Sequence, residues 1–122
     1  MAKTILIVED NEDNADIFVE IIERCGYETI LASDGRDGVE KAQSELPDLI
    51  IMDVQLPLMS GLEATRILKA GDTTKHIPII AVTAFASEQD RAKILAEKVN
   101  GFIPKPINVK NFVSLIEEHI VK

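Results

Sequence analysis

Short, largely apolar runs at residues 5–8, 29–32, 49–52 and 79–82, with a briefer one at 102–103, recur along the 122-residue chain. A run apolar on both faces has no side to offer to water. It therefore suits a strand buried in a parallel sheet better than a half-exposed antiparallel strand, which alternates. Between the runs the apolar period becomes helical. Ile17, Phe18, Ile21, Ile22 and Cys25 form one face, and Val109, Phe112, Val113, Ile116 and Ile120 form another. Weaker faces are marked by Val39, Ala42 and Leu46, by Leu62, Thr65 and Leu68, and by Ala92, Leu95 and Val99. Ser60 with Glu63 and Ser87 with Asp90 have capping-box spacing, while Asn11, Asp34 and Asn108 are suited to cap the other helices. Strand alternating with helix five times predicts an α/β domain, a parallel sheet covered on both faces. Five units are too few for an eight-fold barrel, so the sheet is open and doubly wound.

Ligands of such sheets sit beyond the carboxyl ends of the strands, where the winding reverses. The first strand delivers Glu9 and Asp10 there, the third Asp53, the fourth Thr83 and the fifth Lys105. The second delivers only Ser33 and Asp34, which read as ordinary capping. Three carboxylates cannot sit together fully ionised without compensating cations. Lys105 supplies one charge. A divalent ion taking oxygen ligands, with no His or Cys nearby, points to Mg²⁺, with Mn²⁺ as a substitute. Carboxylates, a metal, a hydroxyl and a lysine make a kit for phosphoryl transfer. No nucleotide-cradling glycine motif occurs, so the nucleophile is expected from the protein itself, and Asp53, ending the run Leu49-Ile50-Ile51-Met52, is the best placed.

Charge is distributed unevenly. The chain has a formal net charge of -8, yet residues 1–48 carry 13 acids and four bases while residues 49–122 carry eight acids and nine bases. An acidic chain with no Trp, one Tyr and four Phe is poorly suited to nucleic acid. No apolar run approaches the roughly 18 residues of a membrane span, and no secretory signal is expected. The single cysteine, Cys25, excludes an intrachain disulfide and fits a cytoplasmic protein; it is expected in the core. His76 and His119 lack metal-ligand spacing and read as solvated.

Val8-Glu9-Asp10-Asn11, Met52-Asp53-Val54-Gln55-Leu56-Pro57, Ser60-Gly61, Val82-Thr83-Ala84 and Lys105-Pro106 occur in order. Together they resemble the receiver domain of bacterial two-component response regulators, over essentially the whole chain. The resemblance implies a flavodoxin-like (βα)5 fold with strand order 2-1-3-4-5. It implies a single receiver domain over residues 1–122, with no output domain and no turnover activity. Asp53 would accept a phosphoryl group from a histidine kinase or histidine phosphotransfer protein. Asp10, Asp53 and the main-chain carbonyl of Gln55 would bind Mg²⁺, with Glu9 acting through water. Thr83 and Lys105 would contact phosphoryl oxygens, and the Lys105–Pro106 peptide would be cis. Thr83 and Phe102 would move as a switch, read by a downstream protein through the fourth helix, fifth strand and fifth helix. Within the family, the motifs lean toward the cell-division and phosphorelay kind.

The chain departs from the family in two places. Phe102 stands where many receivers carry Tyr. Lys98-Val99 stands where a Gly-Ala pair is usual, which puts Lys98 at a position where a helix-ending glycine would be easiest. Other readings remain. Glu12, Asp13 and Asp16 either oppose a helix dipole or rim a kinase-docking surface. Phe85 either covers apolar surface or shields the phosphoryl group from water. A haloacid-dehalogenase-like phosphatase also uses a strand-end aspartate with Mg²⁺, but it needs an acid where Gln55 stands. A flavodoxin-like cofactor binder has no need of Asp10, Asp53 and Lys105 together. The complete residue set argues against a pseudo-receiver.

Overall fold

Strand β1 (Thr4–Val8) is an interior strand of the sheet: Ile5, Leu6, Ile7 and Val8 are all fully buried and both strand edges are paired. A computed structural model describes residues 2–84 and 87–120. The chain continues through α1 (Glu12–Arg24), β2 (Glu28–Ala32), α2 (Gly35–Glu45), β3 (Leu49–Asp53) and α3 (Gly61–Ala70). It ends with β4 (Ile79–Thr83), α4 (Glu88–Ala96), β5 (Gly101–Pro104) and α5 (Val109–His119). All strand pairs are parallel, and the order is β2-β1-β3-β4-β5. The fold is thus an open doubly wound sheet, as the residues predict, with the flavodoxin-like strand order that the resemblance implied.

The two-faced apolar runs are explained by two cores. Ile5, Ile7, Leu49, Ile51, Ile80, Val82 and Ile103 face α1 and α5, where Phe18, Ile22, Phe112 and Ile116 meet them. Leu6, Val8, Ile50, Met52 and Ile79 face α2 and α3, meeting Val39, Ala42, Ala64 and Leu68. Phe18 and Phe112 lie with ring centroids 5.3 Å apart, an aromatic pair that locks α1 to α5. Every position of β3 and β4 is buried, whereas edge strand β2 leaves Leu31 exposed.

All five expected N-caps form. The side chains of Asn11, Asp34, Ser60, Ser87 and Asn108 accept the N–H of Asn14, Asp37, Glu63, Asp90 and Asn111 respectively. In the Ser87 box the hydroxyl also donates to the Asp90 carboxylate, at 2.7 Å. Lys98 has φ +65°, the left-handed conformation anticipated after α4.

Expectations of burial fail at several positions: Leu46, placed on the apolar face of α2, lies just past that helix as its left-handed C-cap at φ +47° and is 52% exposed. Cys25 is exposed rather than packed in the core. Helix α1 ends at Arg24 and Cys25 is its C-cap, so the apolar face stops at Ile22. On α4, Ala92 and Leu95 are exposed and Ile94 is the buried residue. Its apolar residues, Ala92, Ile94, Leu95 and Ala96, crowd into the C-terminal half, so periodicity could not orient this nine-residue helix. Among the described residues no helix is long and apolar enough to cross a membrane.

Candidate functional site

The chain reverses its winding between β1 and β3, and the site lies at the ends of these strands. Glu9 extends the ladder by one residue, its N–H donating to the Ala32 carbonyl at 3.0 Å, which fixes its backbone to the sheet. Its side chain is buried, and Oε2 accepts the Asn11 N–H at 3.2 Å. Asn11 then turns the chain into α1, leaving Asp10 exposed at the bend. Asp53, the last residue of β3, is 3% exposed. Its Oδ1 accepts the Gln55 N–H at 3.1 Å.

The loop after β3 closes tightly above Asp53. The Gly61 N–H donates to the Val54 carbonyl at 3.1 Å. A Cβ at position 61 would lie 2.0 Å from the Asp53 carbonyl oxygen, so only glycine permits this approach. From the other side of the sheet, Lys105 reaches in over β4, its N–H donating to the Thr83 carbonyl at 2.7 Å. Its ammonium donates to Glu9 Oε1 at 3.1 Å and Asp53 Oδ2 at 3.2 Å. The Lys105–Pro106 peptide is cis.

One carboxylate oxygen from each of Glu9, Asp10 and Asp53 lies within 4.8 Å of the others. Three formal negative charges thus face a single ammonium, and two of the carboxylates are buried. The physics of that crowding shows in Glu9, whose pKa is raised to about 7. Burial is the main cause, followed by its hydrogen bond with Asp53, and the Asp53 charge adds to it. Burial would lower the Lys105 pKa, but its hydrogen bonds and charge pairing with Glu9 and Asp53 prevail and raise it. An all-oxygen, electron-rich cluster with one half-buried counter-charge fits a hard divalent cation in character and charge.

Glu9, Asp10, Asp53 and Lys105 therefore converge, while the Thr83 carbonyl accepts the Lys105 main-chain N–H and its hydroxyl bonds to the Gln55 side chain. Phe102 stands apart, half-buried in β5, with the Arg91 guanidinium 5.2 Å from its ring centroid. Phe85 lies outside the described residues.

Two features escaped the sequence reading. The Gln55 side chain donates from Nε2 to Thr83 Oγ1 at 2.6 Å and accepts the Ala84 N–H at 3.4 Å. The phosphatase alternative finds no support, since position 55 offers an amide, already engaged with Thr83, where that chemistry needs an acid. The second feature is an apolar groove of about 500 Å³ between α1 and the β5–α5 connection, with Lys105 on its wall. Ile17 and Val109, counted as core from their spacing, are 52% and 53% exposed and line it. Their excess over what the sheet can cover was the available signal.

Known proteins share this arrangement. Residues 5–117 match the family described as the response regulator receiver domain. The polar-differentiation response regulator DivK of Brucella anthropi is 46% identical over 120 residues, covering 98% of both chains. DivK of Brucella ovis is 45% identical over the same length and coverage. Among solved structures, the receiver domain of the sensor histidine kinase PA1611 from Pseudomonas aeruginosa PAO1 has a magnesium ion coordinated in its active-site cleft. It superposes with a TM-score of 0.91 at 32% identity, covering 98% of both chains. The chemotaxis protein CheY4 of Vibrio cholerae gives a TM-score of 0.91 at 27% identity, over 98% of this chain and all of that one. With its strand order, its strand-end carboxylates and lysine, and this match over most of its length, the chain belongs to the response regulator receiver domain family.

Proposed function

We propose that this receiver domain is a phosphoacceptor switch in two-component or phosphorelay signalling, with Asp53 as the phosphorylated residue. The observation that carries the reading is the Lys105 ammonium bridging buried Glu9 and Asp53 beside Asp10. In the transfer, an Asp53 carboxylate oxygen forms a bond to phosphorus as the N–P bond of a donor phosphohistidine breaks. The bonding pair returns to the imidazole of a histidine kinase or histidine phosphotransfer protein. Asp10, Asp53 and the Gln55 carbonyl, with Glu9 acting through water, would hold Mg²⁺ or Mn²⁺. When bound, the cation supplies charge neutralisation for the acids and the incoming phosphoryl oxygens. Lys105 and Thr83 contribute a fixed ammonium and a hydroxyl to the same oxygens.

The groove beside Lys105 suits the phosphodonor, since Ile17, Ile21, Ile107 and Val109 offer apolar surface next to the lysine that contacts the reacting carboxylate. Glu12, Asp13 and Asp16 lie on the opening turns of α1, the helix that forms one wall of the groove, where they also oppose the helix dipole. Output follows from the added charge of about -1.5 to -2, which draws Thr83 toward Asp53 and repositions Phe102. A tenfold change in affinity for a downstream protein at α4, β5 and α5 needs only about 1.4 kcal/mol of bias. In this reading the protein works in the cytoplasm by changing protein contacts rather than by turnover, without nucleic acid or membrane.

Incubation with a phosphorylated histidine phosphotransfer protein and Mg²⁺, followed by intact-mass measurement, tests the proposal. One phosphoryl group is expected on the parent protein and none on Asp53→Asn. Equal phosphorylation of both overturns it.

A further inference from the structure

Gln55 touches both the expected phosphoacceptor, Asp53, and one expected switch residue, Thr83. Its main-chain N–H donates to Asp53 Oδ1, while its side chain crosses to β4 and engages Thr83 and the Ala84 N–H. The amide orientation is fixed by chemistry, because a main-chain N–H can only donate. The atom facing Ala84 is therefore Oε1, which places Nε2 against the Thr83 oxygen. Thr83 Oγ1 thus accepts a short bond, 2.6 Å, inside a fully buried residue. Two hydrogen bonds from a single side chain hold Thr83 and Ala84 where β4 ends and the chain leaves the sheet.

We propose that the Gln55 side chain is a positioning residue, a latch that holds Thr83 and Ala84 in the resting arrangement and so sets how readily Thr83 reaches a phosphoryl group on Asp53. This rests on the reading of Asp53 as phosphoacceptor. Moving the Thr83 hydroxyl to a phosphoryl oxygen gives up its bond to Gln55 Nε2, so part of the phosphoryl contact is spent on releasing it. A residue of similar size without donors or acceptors removes that opposition. A typical internal hydrogen bond corresponds to a factor of roughly two to twelve in an equilibrium. Loss of the latch should therefore tighten the phosphoryl-bound state about fivefold.

The test is calorimetric titration with beryllium fluoride, a tetrahedral phosphoryl mimic, at saturating Mg²⁺. Gln55→Leu is expected to bind it about fivefold more tightly than the parent. Its Ala84 amide should exchange with solvent faster than the parent's when no mimic is present. In a Thr83→Ala background the same substitution should tighten binding less than twofold, because the hydroxyl partner is gone. Gln55→Met provides the same loss of hydrogen bonding on an unbranched chain if the leucine variant folds poorly. Unchanged or weaker binding in both variants overturns the latch, as does a full gain in the Thr83→Ala background. Failure of the parent protein itself to bind the mimic overturns the phosphoacceptor reading and the latch with it.

Discussion

Raising the pH of the metal-free protein should weaken it through one buried side chain. Glu9 is 4% exposed, and burial, its bond with Asp53 and the Asp53 charge hold its pKa near 7, against 4.5 for the unperturbed group. Between those values the folded protein keeps a proton that the unfolded chain has released. Stability is therefore lost as pH rises through this window, by about 1.4 kcal/mol per pH unit and on the order of 3 kcal/mol in full. Gln is an uncharged isostere of the protonated acid. Glu9→Gln should match the parent near pH 4.5 and exceed it by about 3 kcal/mol at pH 8. Urea denaturation followed by far-ultraviolet circular dichroism, with chelator present from pH 4.5 to 8, reads this difference directly. Comparing the two proteins cancels the titration of the remaining acids. Saturating Mg²⁺ at pH 8 should recover much of the parent's loss, because the cation then compensates the ionised cluster. A difference that stays constant across the window, or that favours the parent at pH 8, would refute the electrostatic argument.

Two substitutions test the geometry around the site. Gly61→Ala would set a Cβ 2.0 Å from the Asp53 carbonyl oxygen, so the β3–α3 loop must shift; a loss of about 3 kcal/mol or more is expected in urea unfolding, and a loss under about 1 kcal/mol would show that the loop yields freely. Lys98→Gly relieves a side chain held at φ +65°; it should stabilise the protein by about 0.5–1 kcal/mol after the greater freedom of glycine in the unfolded chain is deducted, and a destabilised variant would contradict the conformational argument.

The central sheet was legible because its strands are buried on both faces. Residues 5–8, 49–52 and 79–82 cannot be satisfied any other way, and parallel pairing follows from the helices between them. The helix starts were legible for a local reason, since Asn11, Asp34, Ser60, Ser87 and Asn108 each act within three residues. Convergence of Glu9, Asp10, Asp53 and Lys105 followed from topology, because strand ends meet once the strand order is known. What failed depended on extent or reach. Cys25 continued the α1 spacing, but the helix stops at Arg24. Ile17 and Val109 kept the apolar period on a face wider than the sheet it covers. The Gln55 bonds to Thr83 and Ala84 connect residues 28 and 29 positions apart through one side-chain conformation, which no spacing encodes.

The most direct test of the account is to find the phosphorylated atom. An acyl phosphate is reduced by borohydride to the alcohol, so an aspartyl phosphate becomes homoserine at the same position. The protein is phosphorylated from a phosphohistidine donor with Mg²⁺, reduced, digested and sequenced by mass spectrometry. The account predicts homoserine at position 53 and nowhere else. Homoserine at Asp10, a phosphoryl group on any other side chain, or an unmodified peptide around Asp53 would contradict it.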